Sequence, residues 1–325
     1  MTMGTLETDT PGGVGEEDKE ETWRKPDFPE FLGAMMVKEL RQGMRARLFV
    51  LPFVLVHVFA IIALMFHYSD FQKGLVYSSS SSGGGFSGMG EPIWIVIYVL
   101  MWCFLPLGAL GLLQQEASGR NVELLLLTRL SRWKIVIGKW LMMCALGILT
   151  FVSLVPYILV RYFLGPMDVG DALLFVFHLV LLNAVLNAIV LGASGYKNYA
   201  MRILIGLITI GSLFFSMLVP MIVTLSPFGS AGREWIWIPS MLAASALYIL
   251  FGLQLGRGRL RLFEHPYEPP PSRVVVALIC CAPIFIAIVS AVTGGYAGFA
   301  GMGVLIWFVL LIDRKPKQLL APRPG

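Results

Sequence analysis

From residue 48 to residue 312 the chain alternates apolar blocks with short polar or basic stretches. A transmembrane helix needs about 20 predominantly apolar residues, so blocks of this length with almost no internal charge predict membrane spans. Eight are expected, at 48–67, 92–113, 136–160, 171–193, 203–225, 236–256, 274–293 and 297–312. Ahead of them, Lys38, Arg41, Gln42 and Arg45 share one helical face while Leu32, Met36, Val37, Leu40 and Met44 share the other. That pattern predicts an amphipathic helix over 31–47 lying in the membrane interface. Residues 1–30, with their glycines and acidic run, offer little to bury and are expected to be a disordered tail. No signal-peptide pattern precedes the first span. Ser78 to Gly90 has no hydrophobic periodicity and reads as a loop. Pro52, Pro106, Pro156, Pro220 and Pro283 fall inside spans, where neighbouring helices can satisfy the backbone groups a proline frees.

Composition agrees with this picture. Of 325 residues, 57% are hydrophobic and 14% charged, against roughly 25% charged in soluble domains. The expected fold is therefore all-α, a polytopic integral membrane helix bundle of six to eight spans. Cys103, Cys144, Cys280 and Cys281 all sit in apolar blocks and imply neither a disulfide framework nor a metal site. The net charge of +5 does not imply nucleic acid, because the basic residues cluster between spans. With a cytoplasmic N-terminus, all 25 Lys and Arg residues except Lys73, Arg161 and Arg233 fall on the inside, a division of 22 to 3. Positive charge resists translocation, so this places both termini in the cytoplasm, with 313–325 as a cytoplasmic tail, and requires an even span number. It leaves six and eight spans both open. The expected location is a cell membrane, a bacterial inner or plasma membrane.

The spans carry little chemistry. No Asp or Glu lies in mid-span, which argues against an ion-coupled carrier. His57 and His178 are expected to be neutral packing residues rather than proton relays. Asn183 and Asn187, four apart, share one helix face and are read as interhelical glue or as pathway contacts. Gly192-Ala193-Ser194-Gly195 matches the G-x-S-G of rhomboid-type intramembrane proteases, but no histidine base in a later span accompanies it. It is expected to be a small-residue helix end. Gly294/Gly298 and Ala297/Gly301 are small-residue pairs suited either to close helix packing or to a tight hairpin. Arg257, Arg259 and Arg261 are read as a basic loop that could hold anionic lipid, but ordinary positive-inside topology accounts for it without further function. No catalytic residue, metal or cofactor is expected.

The segment between the second and third expected spans, 114–135, holds four consecutive leucines bracketed by charges, too few to span and suited to a surface helix. Ser131 is placed to cap the next helix and Trp133 to sit in the interfacial belt. The order Glu116, Gly119, Glu123, Leu124, Leu125, Leu126, Leu127, Ser131, Arg132, Gly138 and Lys139 resembles the first cytoplasmic loop of ABC-2 type permeases, the membrane subunits of one class of ABC transporters. Lys38-Glu39-Leu40-Arg41 is similar to that family's N-terminal elbow helix. The resemblance covers roughly 31–140. Arg129 stands where the family commonly has proline, and eight spans would exceed its usual six.

The resemblance implies the permease subunit of an exporter, forming the translocation pathway and driven by an ATPase on another chain: no P-loop lies in this chain, since Gly138-Lys139 is followed by Trp140 rather than Ser or Thr. The implied partners are a separate ATP-binding subunit, a second permease subunit forming a homo- or heterodimer, and membrane lipids. Implied ATPase contacts are Glu116, Gly119, Glu123, Leu124 to Leu127, Arg129, Ser131 and Arg132, with Lys38, Glu39, Arg41 and Arg45 on the elbow. The alternative class is a non-transporting membrane scaffold or assembly protein; an intramembrane enzyme ranks third, because the spans lack a paired acid and base.

Overall fold

The computed structural model describes residues 40–41, 43–45, 47–72, 92–99, 101–102, 105–113, 132–164, 169–225, 234–264, 272–293 and 298–312. Among them no strand occurs. The helices are α1 (Arg47–Gln72), α2 (Pro92–Val99), α3 (Leu105–Leu107), α4 (Arg132–Leu164), α5 (Val169–Ser194), α6 (Tyr199–Leu225), α7 (Glu234–Glu264), α8 (Ser272–Val292) and α9 (Gly298–Ile312). Six of them, α1 and α4 to α8, are long and apolar enough to cross a bilayer. The 15 residues of α9 rise about 22 Å at 1.5 Å each, short of a hydrocarbon core of about 30 Å.

The core is organised around α5. Its residues are apolar on nearly every side: Leu173, Leu174 and Phe177 of its first half are exposed, while from Leu182 to Ser194 it is largely enclosed by other helices. Phe175 and Leu179 meet α1, α2 and α4 beside Val56, Ile97 and Leu154. Leu182, Leu186 and Ile189 join a cluster with Tyr248, Phe251, Ile279 and Met302 of α7, α8 and α9. Val190 packs with Ala109, Met142 and Leu146, and Leu191 with Leu113, Val136 and Leu253. By contrast, Leu51, Met65 and Phe66 of α1 remain exposed, as lipid-facing residues would.

Against α5 lies α7, in the most extensive helix pairing of the bundle. Small residues make it possible. A Cβ on Gly252 would overlap the Ala188 carbonyl oxygen, and one on Gly192 would overlap that of Gly252. One on Gly256 would meet Leu113 Cδ1 at 3.2 Å. Apolar side chains gain nothing by leaving lipid for one another, so close backbone approach and the dispersion it brings are what hold such helices together.

Two sequence expectations change. The second expected span is not one regular helix among its described residues: α2 gives way to a π turn at Met101 and Trp102, and after α3 a 3-10 turn runs over Gly108–Gly111. Arg257, Arg259 and Arg261 are not in a loop but on the continuation of α7, which runs eight residues past the expected 256 because nothing before Pro266 breaks it. Leu40, Arg41, Gly43, Met44 and Arg45 are helical, and Gly43 faces Met142 and Leu146 of α4.

Candidate functional site

Several buried hydroxyls bond back to their own helix: Thr150 to Leu146 O, Thr209 to Ile205 O, Ser245 to Met241 O. This is how Ser and Thr satisfy themselves in an apolar setting. The polar bonds that cross between helices therefore stand apart: aside from the Ser212–Tyr248–Ser216 group with Ile279 O, the Trp140 bond to Ala184 O and the His178–Met241 contact, they gather at two levels of the second span.

The first level is the end of the bundle where the 114–131 segment leaves and returns. The buried Arg202 guanidinium donates to three backbone carbonyls: Nε to Tyr196 O at 2.7 Å, Nη1 to Leu110 O at 3.0 Å and Nη2 to Lys197 O at 3.2 Å. Tyr196 and Lys197 follow the C-terminus of α5, where a cation also complements the helix dipole. Ser194 donates to Leu191 O at 2.6 Å and accepts the Leu113 N–H at 3.3 Å. Its hydroxyl is thus tied to two backbone groups, a helix-end role rather than a nucleophile's. On the returning side, the Arg257 guanidinium carbon lies 5.0 Å from the centre of the Trp133 ring, a cation–π contact. Leu113 and Val136, one on each side of the segment, share a buried cluster with Leu191 and Leu253. Both ends of the segment are thereby fixed to α5 and α7.

The second level is the break in the second span. In a π register the Met101 carbonyl would receive the N–H of residue 106, and in an α register the Trp102 carbonyl would; Pro106 has none. Asn183 Nδ2 of α5 donates to Met101 O at 3.2 Å instead. Asn187 Nδ2 donates to Asn183 Oδ1 at 2.9 Å. Room for the Asn183 amide comes from Gly147 of α4, where a Cβ would overlap Oδ1. Asn187 Oδ1 and Trp102 Nε1 are buried with no partner in hydrogen-bonding geometry. The Cys144 sulfur does face Asn187, as a weak acceptor for its amide N–H rather than a donor to Oδ1.

His57 is occupied on its own helix and His178 by a neighbouring one. His57 Nδ1 lies 2.7 Å from Phe53 O on its own helix and its ring packs edge-on against Tyr157. His178 Nδ1 lies 2.8 Å from Met241 Sδ. Among the described residues there is no group of three His, Cys, Asp or Glu able to hold a metal. Gly301 faces Val289 across the α8–α9 hairpin.

Of the sequence-predicted site residues, Asn183 and Asn187 come together and reach a third helix element, and Arg41 and Arg45 are exposed. Arg132 opens α4. Lys38, Glu39, Glu116, Gly119, Glu123, Leu124, Leu125, Leu126, Leu127, Arg129 and Ser131 lie outside the described residues, as do the 1–30 and 313–325 tails. Sequence reasoning missed Arg202, counted only as an inside charge, although an arginine five residues after Lys197 in an apolar run signals a helix-end clamp. It also missed Gly252 and Gly256, whose spacing of four is the same small-residue signal noted elsewhere.

Comparison of the chain with models of protein families, with curated proteins and with solved structures finds no match in any of the three. Length and composition of the helices define a multi-pass, all-helical membrane protein.

Proposed function

We propose that this protein is the membrane subunit of an ABC-2 type transporter, driven through its 114–131 segment by a separate ATP-binding subunit. The observation that supports the reading is mechanical. Leu113 and Trp133, at the two ends of the segment, are anchored on α5 and α7 through Ser194, Arg257 and the Leu113–Val136–Leu191–Leu253 cluster. Interiors packed this closely transmit displacement rather than absorb it, so a push on the segment reaches the two most buried spans. The order of acidic residue, glycine and leucines within the segment supplies the resemblance to a coupling helix. The pathway is formed with a second permease chain.

The test is affinity purification of the full chain from its native membranes, with associated proteins identified by mass spectrometry. An associated protein with a P-loop, retained by the intact chain and lost on scrambling 116–132 or on single Asp substitutions from Leu124 to Leu127, is the expected result. A well-inserted chain that brings down no P-loop protein, or keeps it after scrambling, overturns the reading and favours a scaffold. The proposed orientation is tested in a cysteine-free background: an impermeant thiol reagent on intact cells labels Ser81→Cys and spares Ser118→Cys.

A further inference from the structure

The last two helices differ in length, and their register fixes where the difference falls. Gly301 of α9 lies against Val289 of α8: a Cβ on the glycine would meet three carbons of that side chain at 3.3 to 3.4 Å. From this contact α8 runs three residues on, to Val292, and α9 begins three residues earlier, at Gly298. At that end the two helices finish level. At the other end they do not. Arg273 stands 16 residues from Val289, about 24 Å at 1.5 Å per residue, whereas α9 stops at Ile312, 11 residues and about 17 Å from Gly301. Between Arg273 and Val292 α8 rises about 28 Å, close to a hydrocarbon core of about 30 Å, so it crosses nearly upright and cannot absorb the difference by tilting. Ile312 therefore lies about 7 Å nearer the midplane than Arg273.

The charged run Asp313-Arg314-Lys315 follows Ile312 directly. One Cα step is about 3.8 Å, so Asp313 cannot reach the level of Arg273. Arg and Lys side chains are long enough to extend toward water, but an aspartate is not. A charge at that depth is costly, and a span too short for its bilayer is accommodated by thinning the bilayer. Trp307 agrees with this. It is 57% exposed and lies about 9 Å from Gly301 along α9, which in a flat core is about 15 Å inside Arg273, at mid-depth and far from the interfacial belt that tryptophan favours.

We propose that the bilayer is thinned beside α9, so that on the side where α9 ends phospholipid headgroups dip to the level of Ile312, about 7 Å deeper than beside α8. The partner is the leaflet itself, and the dip is where the polar head of a phospholipid meets this bundle within the depth of the hydrocarbon. The inference rests on helix lengths and register, not on the transporter reading.

The experiment compares two lipid-facing positions that the register puts at one depth: Leu310, nine residues from Gly301, and Cys280, nine from Val289, both exposed. Each serves as the single cysteine of the full chain, as Leu310→Cys with the native cysteines replaced or as Cys280 retained alone. The spin-labelled chains are reconstituted in dioleoyl phosphatidylcholine vesicles containing a lipid with a nickel-chelating headgroup. Relaxation by the headgroup nickel should be about threefold or more stronger at 310 than at 280. Asp313→Leu, Arg314→Leu and Lys315→Leu together lengthen the apolar stretch by about 4.5 Å and should remove most of that excess. Equal relaxation at the two sites overturns the proposal, as does an excess at 310 that survives the lengthening. An excess seen with a soluble nickel complex but not with the lipid-borne one marks an aqueous cavity in the protein and overturns it too. If Leu310→Cys is not recovered from membranes, Phe308→Cys against Cys281 decides by the same criterion, since a flat bilayer puts 281 nearer the interface. None of these readouts needs an ATPase, so the thinning can fail while the transporter reading stands, and the reverse.

Discussion

Near two of the prolines in this bundle, Pro106 and Pro283, a side chain from another helix donates to a backbone carbonyl, and the bundle answers the two differently. Pro283 of α8 leaves Ile279 O without its usual donor four residues on, and Ser212 of α6 donates to that oxygen at 2.6 Å. With the Ser212 proton committed, the buried Tyr248 hydroxyl must donate to Ser212 at 2.6 Å, and Ser216 in turn donates to Tyr248 at 2.7 Å. Every hydroxyl in that chain is used, and α8 continues as one helix through Pro283 to Val292. At Pro106 the compensation is partial. One amide reaches Met101 O, two buried polar atoms stay unbonded, and the span changes helical type. A completed network fixes a proline kink as structure, whereas an incomplete one leaves alternatives close in free energy.

The comparison is tested hardest at Ser212. Ser212→Val removes the donor to Ile279 O and the acceptor for Tyr248 together, leaving two buried groups unpaired, each worth about 1–3 kcal/mol. Denaturant unfolding in mixed micelles should show a loss of about 2–4 kcal/mol. A loss no larger than that of an exposed Ser substitution would mean that the Pro283 kink does not depend on the network, and the contrast with Pro106 would collapse.

How far these features were legible in the sequence follows from the same physics. Apolar blocks announced the helices because lipid demands length and low charge. Helix ends were less legible: α7 runs through three arginines to Glu264, since a helix leaving the hydrocarbon has no reason to stop until its backbone is interrupted. Pro106 and Pro283 look alike in sequence, and what separates them is the donor on a neighbouring helix. Asn183 and Asn187 could be seen as a pair on one face, but not that Met101 would meet them, because that depends on Gly147 leaving room across α4. Arg202 and the Gly252–Gly256 seam carried local signals that a reading focused on topology passed over. The 114–131 segment carries the functional resemblance, and it is the fixed ends, Leu113 and Trp133, that the fold adds to it.

Gly147→Ala sharpens the comparison from the Pro106 side without touching either asparagine. The new Cβ would overlap Asn183 Oδ1, so the amide must move or the helices must part, at a cost of about 1–3 kcal/mol by the usual penalty for overpacking. Hydrogen exchange near Met101 should rise with the loss of stability. Faster global unfolding without any local change at the break would show that Gly147 serves helix packing alone.

Tyr248→Phe is the milder cut at the Pro283 site. The Ser212 bond to Ile279 O survives, and Ser216 can turn back to a carbonyl of its own helix, so a loss of about 0.5–1.5 kcal/mol is expected, within the range measured for single hydrogen bonds in membrane proteins. The ratio of this loss to that of Ser212→Val is the informative quantity. A ratio near one would place the stabilising role on the tyrosine rather than on the freed carbonyl.

Asn187→Leu should have the smallest effect of all. The substitution removes one donor, the Nδ2 bonded to Asn183 Oδ1, and with it the unbonded Oδ1. The first loss destabilises and the second relieves a buried acceptor, and leucine repeats the branched heavy-atom skeleton of asparagine, so the net change is expected within about 0.5 kcal/mol. Such near-cancellation is peculiar to a site that is incompletely satisfied. At the Pro283 site the atom that meets the freed carbonyl, Ser212 Oγ, cannot be removed without leaving both Ile279 O and the Tyr248 hydroxyl behind. Equilibrium unfolding of Asn187→Leu beside Tyr248→Phe therefore asks whether the two prolines are held by different kinds of network. A loss for Asn187→Leu as large as that for Ser212→Val would show that Asn187 completes the Pro106 site, and that the break is as firmly fixed as the kink.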